Sequence, residues 1–319
     1  MSKTRIVTYV CWIFSALALI GLALWLFFAN GFTFIGIDAG SFNYENRHVI
    51  SVDEVENVNI DWISGRVNVG IHDGEDIIVT EFSRRELRER DRLSYNISNN
   101  TLTVEFNQGR GGRINSLSKQ LEVLIPRSLQ KVIDENFDHS LDIVTVSGRV
   151  NLDELILFDS INVRTTSGRI ELANIEANNI RLQTTSGRVE MTGVISDDIS
   201  AQTTSGRISA LRVTANSLTT QTVTGRHELF GSFNYINARA TSGRLDIGSS
   251  VVSSSVVART TTGRIEVSVP NDGEPISVEH SITTGRFSSQ IPIITHGGSS
   301  SQFNLTTTTG RISISEYRS

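Results

Sequence analysis

The chain is poor in the residues that cross-link a fold or interrupt strands. It has one cysteine and four prolines among 319 residues. The lone Cys11 excludes an internal disulfide and a thiolate metal cluster. Lysine is also scarce, occurring only at Lys3, Lys119 and Lys131, so almost all positive charge is carried by arginine. Because the net charge is −5 over this length, the composition argues against a nucleic-acid-binding protein.

The sequence also lacks the usual signatures of catalysis. Its six histidines fall in no metal-ligand spacing, and no Gly-x-Ser-x-Gly motif is present. The acidic residues are scattered, mostly beside arginines, and offer no carboxylate pair for general acid–base chemistry. We therefore expect a protein that is not an enzyme, with no cofactor, no metal and no small-molecule substrate.

What the chain does contain is a repeated tripeptide, Ser/Thr-Gly-Arg. One early copy is centred on Gly65. Nine more copies follow toward the C-terminus at intervals of 18 to 25 residues, and their glycines are Gly148, Gly168, Gly187, Gly206, Gly225, Gly243, Gly263, Gly285 and Gly310. A period of this size is typical of proteins built from stacked repeats.

Alternating apolar residues flank most of these glycines. In one repeat, Ile161 and Val163 lie seven and five positions before Gly168, and Ile170 and Leu172 lie two and four positions after it. Such alternation predicts a strand on each side of the glycine. The phase of the alternation shifts by one residue at the glycine, which indicates a bulge or a tight corner where glycine tolerates a positive φ.

One such unit cannot bury its apolar face alone, but stacked units can, by parallel pairing at about 4.8 Å per coil. We predict an all-β protein: a single-stranded parallel β-solenoid (β-helix) of about nine to ten coils, preceded by one transmembrane helix. The repeat array spans residues 141–319, and its coils are expected to stack in chain order. Residues 49–140 form an irregular β region that is expected to cap the first coil. His227 and His280 replace inward apolar residues, and we expect them at coil ends or in satisfied core positions.

The N-terminal segment predicts a membrane anchor. Residues 6–28 are an uninterrupted apolar run of 23 residues, long enough to span a bilayer as a helix. Lys3 and Arg5 precede this run, so the positive-inside rule places residues 1–5 in the cytoplasm and the rest of the chain outside. Residues 29–48 are expected to be a connector. A cleaved secretory signal is the alternative, although the apolar run is longer than that of most signals. The expected location is the cell membrane, with a single pass.

The arginine after each repeated glycine is the most conspicuous polar feature. Stacking would align these side chains into a column that could hold an anionic polymer through bidentate contacts, with Arg169, Arg188, Arg207, Arg226, Arg244 and Arg264 as candidate members. Many of the same strands carry an acid two residues later, so the arginines and acids could instead pair with each other. From residue 143 onward the arginines and the acidic residues are equal in number, which favours a structural ladder.

The unit Thr-Thr-Ser-Gly-Arg-Ile/Val-Glu-Leu/Met, found at residues 165–172 and 184–191, resembles a widespread bacterial family of tandem β-strand repeats. The family carries an adhesin name and is of unknown function. The similarity covers roughly residues 50–319, and the single anchor ahead of it is similar to that of members found beside cell-envelope stress systems. The family commonly has Asp or Lys where this chain has Arg, and the resemblance supplies no catalytic or binding residue.

Together these features predict a non-catalytic, extracytoplasmic module of the bacterial cell envelope. The expected role is adhesion, or binding to a cell-wall polymer or another envelope protein, with membrane contact through residues 6–28. Two alternatives remain open. One is a structural or envelope-stress-linked scaffold that acts through a membrane protein partner, and the other is a polysaccharide-active β-helix enzyme.

Overall fold

A computed structural model of the chain describes residues 42–52, 55–107, 119–127, 139–156, 158–271, 273–295, 299 and 301–317. The chain divides into two units, and the described residues all belong to the second, Phe42–Ser319. The predicted transmembrane segment at residues 6–28 lies outside the described residues. In the part that is described, no helix combines the length and the apolar character needed to cross a bilayer.

The second unit consists of strands joined in one continuous sheet, so the all-β prediction is confirmed. In chain order the strands are β1 (Tyr44–Ile50), β2 (Asn57–His72), β3 (Ile77–Ser83), β4 (Ser94–Ser98), β5 (Thr101–Glu105), β6 (Lys119–Pro126), β7 (Ser140–Asp153), β8 (Ser160–Ala173), β9 (Glu176–Ser186), β10 (Val189–Thr192), β11 (Ile195–Ser249), β12 (Ser255–Val269), β13 (Ile276–Ser289), β14 (Ile293–Ile294) and β15 (Gln302–Glu316). One short 3-10 helix, Glu89–Asp91, lies between β3 and β4.

Neighbouring repeats pair in parallel and in register. We call each repeat a coil, name it by its glycine, and call the strands before and after that glycine its first and second legs. Gly148 in β7 pairs with Gly168 in β8, and Gly243 in β11 pairs with Gly263 in β12. The early repeat joins the same stack, because Gly65 in β2 pairs directly with Gly148. Strand pairing therefore brings together two repeats that are far apart in the chain.

The stacking order departs from chain order at the C-terminal end. The Gly310 coil pairs with the Gly263 coil on one side and with the Gly285 coil on the other, so the last repeat in sequence is inserted before the one that precedes it. The expectation of simple chain order is wrong here, and side-chain polarity explains the exchange. The inward residues of the Gly310 coil are apolar and buried: Phe303, Leu305, Ile312 and Ile314. The Gly285 coil has His280 and Ser289 at matching positions, which suit the solvent-facing end of a stack.

The core runs through the centre of the stack. In the Gly168 coil, Ile161 and Val163 on the first leg and Ile170 and Leu172 on the second leg are all buried. Turn residues such as Ile175 are also buried and add to this core. Full burial of an aliphatic side chain of this size contributes about 2 kcal/mol, so each coil is held chiefly by the apolar rows of its neighbours.

Close backbone approach explains why glycine recurs at every corner. A Cβ atom on Gly206 would lie 1.7 Å from the carbonyl oxygen of Gly187, and the other corner glycines of the array face the preceding glycine of the stack in the same way. A left-handed backbone is an additional requirement at Gly148, where φ is 128°. Glycine at the corner is therefore a shared steric requirement of stacking, and positive φ is needed at only some of the corners.

Strands β1 and β3 to β6 cover the Gly65 end of the stack. Strand β5 pairs in parallel with the first leg of β2, and β6 pairs in parallel with its second leg. Three antiparallel pairs follow: β4 with β5, β3 with β6, and β1 with β3. A buried ion pair lies in this cap, with Lys119 Nζ 2.6 Å from Glu81 Oε1. Burial lowers the pKa of Lys119, although Glu81 opposes that shift. The Lys119 ammonium also donates to the carbonyl oxygens of Asp91 and Asn107, which satisfies it inside the cap.

Candidate functional site

Arginines and acids form a ladder on the outer face of the second legs. Within single coils, the arginine after the glycine pairs with the acid two residues later, at 2.8 Å for Arg169–Glu171 and 3.2 Å for Arg264–Glu266. The hydrogen bond from Arg169 to Glu171 raises the pKa of Arg169 above its ordinary value. Strand register aligns successive arginines, so the ladder follows directly from the repeat.

Contacts between coils extend this ladder along the stack. Arg244 bridges its own Asp246 and Glu266 of the next coil, with Nη2 2.6 Å from the Glu266 carboxylate. Burial raises the pKa of Asp246, and the hydrogen bond from Arg244 opposes that shift. The remaining pairs between coils are longer: Arg149–Glu171, Arg169–Glu190 and Arg207–Glu228, at 3.6 to 3.9 Å.

Five of the six candidate polyanion-binding arginines thus have acidic partners: Arg169, Arg207, Arg226, Arg244 and Arg264. In the part of the chain that the structure covers, no acid lies within ion-pair distance of Arg188, the sixth candidate. Most of the column is therefore charge-balanced. Such a face keeps the coils in register but offers little uncompensated charge to an anionic ligand.

A polar groove, lined mostly by uncharged side chains, crosses the first legs of five coils. It has a volume of about 400 Å³ and runs from Val144 in the Gly148 coil to Val223 in the Gly225 coil. Its walls repeat two side-chain types at coil spacing, the amides of Gln183, Gln202 and Gln221 and the hydroxyls of Thr166, Thr185 and Thr204. Arg164 is the one charged residue among those that line it.

The strand pattern positions these groups. Residues four and two positions before a corner glycine point outward, because the residues between and beside them fill the core. Thr184, which lies between Gln183 and Thr185, is buried, and its hydroxyl donates to the carbonyl oxygen of Gly168. This inward threonine therefore satisfies the corner backbone, while the outward threonines remain available to a ligand.

The two histidines at inward positions have different surroundings. His227 is fully buried, and its Nδ1 lies 2.8 Å from Thr220 Oγ1. His280 is exposed at the Gly285 end, where its ring stacks on Phe287 with centroids 3.9 Å apart. Within the described ranges, no group of three or more His, Cys, Asp or Glu side chains is arranged to hold a metal ion.

Sequence reasoning missed the groove. The glutamines recur four positions before three successive corner glycines, and this column could have been found by aligning the repeats. The glutamine column gave no functional signal in the sequence, because glutamine carries neither charge nor catalytic chemistry. Sequence reasoning also missed the buried pair of Lys119 and Glu81, which lie 38 residues apart in the chain and meet through antiparallel pairing of β3 with β6.

The geometry defines a class of protein, an all-β repeat protein whose coils stack in register. Within that class, the chain belongs to the Toastrack DUF4097 family, whose model matches residues 55–316. This match confirms the family resemblance that the repeated unit predicted. No curated protein matches the chain.

Solved structures that match the chain share little sequence with it. A "putative adhesin" from Bacteroides fragilis is 12% identical, with a TM-score of 0.49 over 86% of this chain and 97% of its own. A "putative adhesin" from Parabacteroides merdae is 11% identical, with a TM-score of 0.47 over 86% of this chain and 97% of its own. A "putative lipid binding protein" from Parabacteroides distasonis is 12% identical, with a TM-score of 0.48 over 88% of this chain and 98% of its own.

Proposed function

We propose that this protein is a non-catalytic binding module of the bacterial cell envelope, of adhesin type, that holds an extended glycan along its stack. The observation that carries the proposal is the groove lined by glutamine and threonine. Its amides recur on three successive coils and its outward hydroxyls on three, at the strand spacing of about 4.8 Å, so each column of identical groups extends over roughly 10 Å.

A regular polar groove of this kind suits a polymer of repeating polar units. Glutamine amides donate and accept hydrogen bonds, and threonine hydroxyls do both as well, which matches the mixed hydroxyl chemistry of a sugar chain. The exposed side chains of Val144 and Val223 at the two ends offer apolar surface for sugar ring faces. A rigid sheet also keeps these groups fixed before the ligand arrives, which lowers the entropic cost of binding.

The proposal includes the finer architecture and the location of the chain. The stack is a single-stranded β-solenoid formed by residues 141–319 together with the Gly65 coil, and residues 49–140 supply its cap. The uncharged apolar run at residues 6–28 anchors the protein in the cell membrane with residues 1–5 in the cytoplasm. Residues 29–48 connect this anchor to the extracytoplasmic stack, and from Tyr44 onward this segment belongs to strand β1 of the cap.

The experiment is co-sedimentation of the purified full-length chain with insoluble cell-wall glycan. Replacing Thr185 and Thr204 by valine keeps the side-chain shape and removes two outward hydroxyls from the groove. Each lost hydrogen bond is worth about 1 kcal/mol, so we expect the double variant to bind about tenfold or more weakly.

The matched control changes the same column outside the groove. Thr241 and Thr261 are exposed and lie two positions before Gly243 and Gly263, beyond the coils that line the groove. Their valine double variant should bind like the unchanged chain. Equal loss in both double variants, or no binding by the unchanged chain, would overturn the proposal. Crosslinking of the full chain to one membrane protein without glycan binding would favour the scaffold alternative.

A further inference from the structure

The contacts between coils in the arginine–acid ladder have one direction. Each joins an arginine to an acid on the coil that stacks next toward the Gly285 end, as in Arg169–Glu190 and Arg207–Glu228. The Gly206 coil has serine, Ser209, where others have their own acid, and Arg207 is nevertheless paired because the next coil supplies Glu228. Of the six candidate arginines, all but Arg188 are therefore paired within their own coil or with the coil that follows in the stack.

Both sources of acid are missing at the two coils that end the stack. Arg311 and Arg286 are register neighbours, and both are exposed. The position two residues later is Ser313 in the first coil and Ser288 in the second, and these serines are also register neighbours. No coil with an acid follows in the stack, so neither arginine has an ion-pair partner among the residues that the structure describes.

The nearby acids are engaged elsewhere or lie at other positions. Glu266 of the preceding coil is held by both Arg244 and Arg264. On the first leg of the Gly285 coil, Glu279 accepts a hydrogen bond from Asn304 Nδ2 at 3.0 Å. Glu316 lies at the far end of β15, beside Val269. The outer face of the last two second legs consequently carries two guanidinium groups and two hydroxyls without a carboxylate.

We propose that Arg286, Arg311, Ser288 and Ser313 form an anion-binding site for a phosphate group of a phosphodiester polymer of the envelope. Parallel pairing separates the two arginines by about 4.8 Å, close enough for both to contact one phosphate. Guanidinium forks bind phosphate oxygens bidentately, and the serine hydroxyls stand where the acids of other coils accept hydrogen bonds from arginine. This site lies on the second legs and is separate from the groove on the first legs.

Phosphate fits the arrangement better than carboxylate does. A planar carboxylate has two oxygens, and in the ladder Glu171, Glu228 and Glu266 each pair with two arginines. A tetrahedral phosphate presents additional oxygens, so it can engage the serine hydroxyls as well as both arginines. Exposure at the end of the stack also leaves room for a chain that continues on either side of the bound group.

The test measures binding of the full-length chain to poly(glycerol phosphate), with polyglutamate as the carboxylate comparison. Replacing Arg286 and Arg311 by glutamine should weaken binding to poly(glycerol phosphate) by at least about tenfold, because both charge-assisted contacts to the phosphate are lost. The charge-matched control replaces Arg169 and Arg226 by glutamine. Both of these arginines are already paired, with Glu171 and Glu228 respectively, so this control should change binding less than about twofold.

Two further variants add or remove acids near the site and leave both arginines in place. Replacing Ser288 and Ser313 by glutamate installs the acids that other coils possess, and it should abolish phosphate binding while leaving the thermal unfolding midpoint unchanged or higher. Conversely, replacing Glu266 by serine frees Arg264, the next arginine along the stack, and should strengthen binding.

Several outcomes would overturn the inference. These are equal loss in the control variant, stronger binding to polyglutamate than to poly(glycerol phosphate), and binding only to vesicles made of equal parts phosphatidylcholine and phosphatidylglycerol. If glycan binding persists while the arginine variants have no effect, this site fails and the groove proposal stands. If phosphate binding persists while the groove variants have no effect on glycan binding, the groove proposal fails and the phosphate site stands.

Discussion

His227 should make the stack sensitive to acid. In the Gly225 coil it occupies the inward position that Ile208 and Leu245 hold in the neighbouring coils, and its side chain is fully buried. Nδ1 contacts the Thr220 hydroxyl at 2.8 Å, and Nε2 has no hydrogen-bond partner among the described residues. Burial in these surroundings lowers the pKa of His227 from 6.5 to about 4.

The sign of the effect follows from comparing the two states. The pKa of His227 is lower in the folded chain than in the unfolded chain, so the unfolded chain takes up the proton first as the pH falls. Stability is fully present above a pH of about 6.5 and is lost progressively until the pH reaches about 4. A difference of about 2.5 pKa units corresponds to a loss of about 3 kcal/mol in the free energy of unfolding.

Urea unfolding of the full-length chain, followed by circular dichroism at a series of pH values, measures this loss. Replacing His227 by isoleucine and Thr220 by valine removes the titrating group and the hydroxyl that would otherwise lose its partner. The free energy of unfolding of the double variant, measured relative to that of the unchanged chain, should rise by about 3 kcal/mol as the pH falls from about 7.5 to about 4. A Leu245→Ile variant in the next coil should show no such trend. A difference that stays constant across this range would refute the argument, because burial would then not control the titration of His227.

Three further predictions concern the stability of the stack. Gly206→Ala should lower the free energy of unfolding by more than about 4 kcal/mol, because the added Cβ would lie 1.7 Å from a carbonyl oxygen. Gly70→Ala is the control. Its Cβ would have no neighbour nearer than 3.9 Å, so the free energy of unfolding should change by less than about 1 kcal/mol. Lys119→Met should cost about 3–5 kcal/mol because it leaves the carboxylate of Glu81 buried without a partner, and adding Glu81→Gln should recover much of that loss in chemical unfolding. Arg169→Gln should alter the thermal midpoint little, since an ion pair that is partly exposed contributes about 1 kcal/mol or less, and a large drop would show that the ladder is cooperative.

Several parts of the structure could be predicted from the sequence because they depend on local spacing. Alternation around Gly168 indicated a strand on each side, and the structure has one continuous strand, β8, through that corner. The alignment of arginines with acids two residues later indicated pairing, and most of the candidate arginines are paired in the structure. Both features follow from side-chain alternation, which is set by the backbone of a single strand.

Other parts depend on contacts between distant residues. The direct pairing of the Gly65 coil with the Gly148 coil could not be read from spacing, because a long intervening segment forms the cap. The groove was likewise hidden, since it exists only where the outward residues of five coils lie side by side. Neutral glutamines and threonines give no signal until stacking repeats them at a fixed distance.

The sequence by itself determined the repeat, the corner glycines and the inward and outward faces of each coil, because a strand alternates its side chains whatever it packs against. Only the tertiary structure decided the order of the last two coils and the pairing of individual charges. The Gly310 coil lies between the Gly263 and Gly285 coils because its inward side chains are apolar. Packing decides which of the last two coils is covered on both sides, and spacing along the chain does not. The same end position leaves Arg286 and Arg311 without a following acidic coil, which spacing along the chain does not reveal.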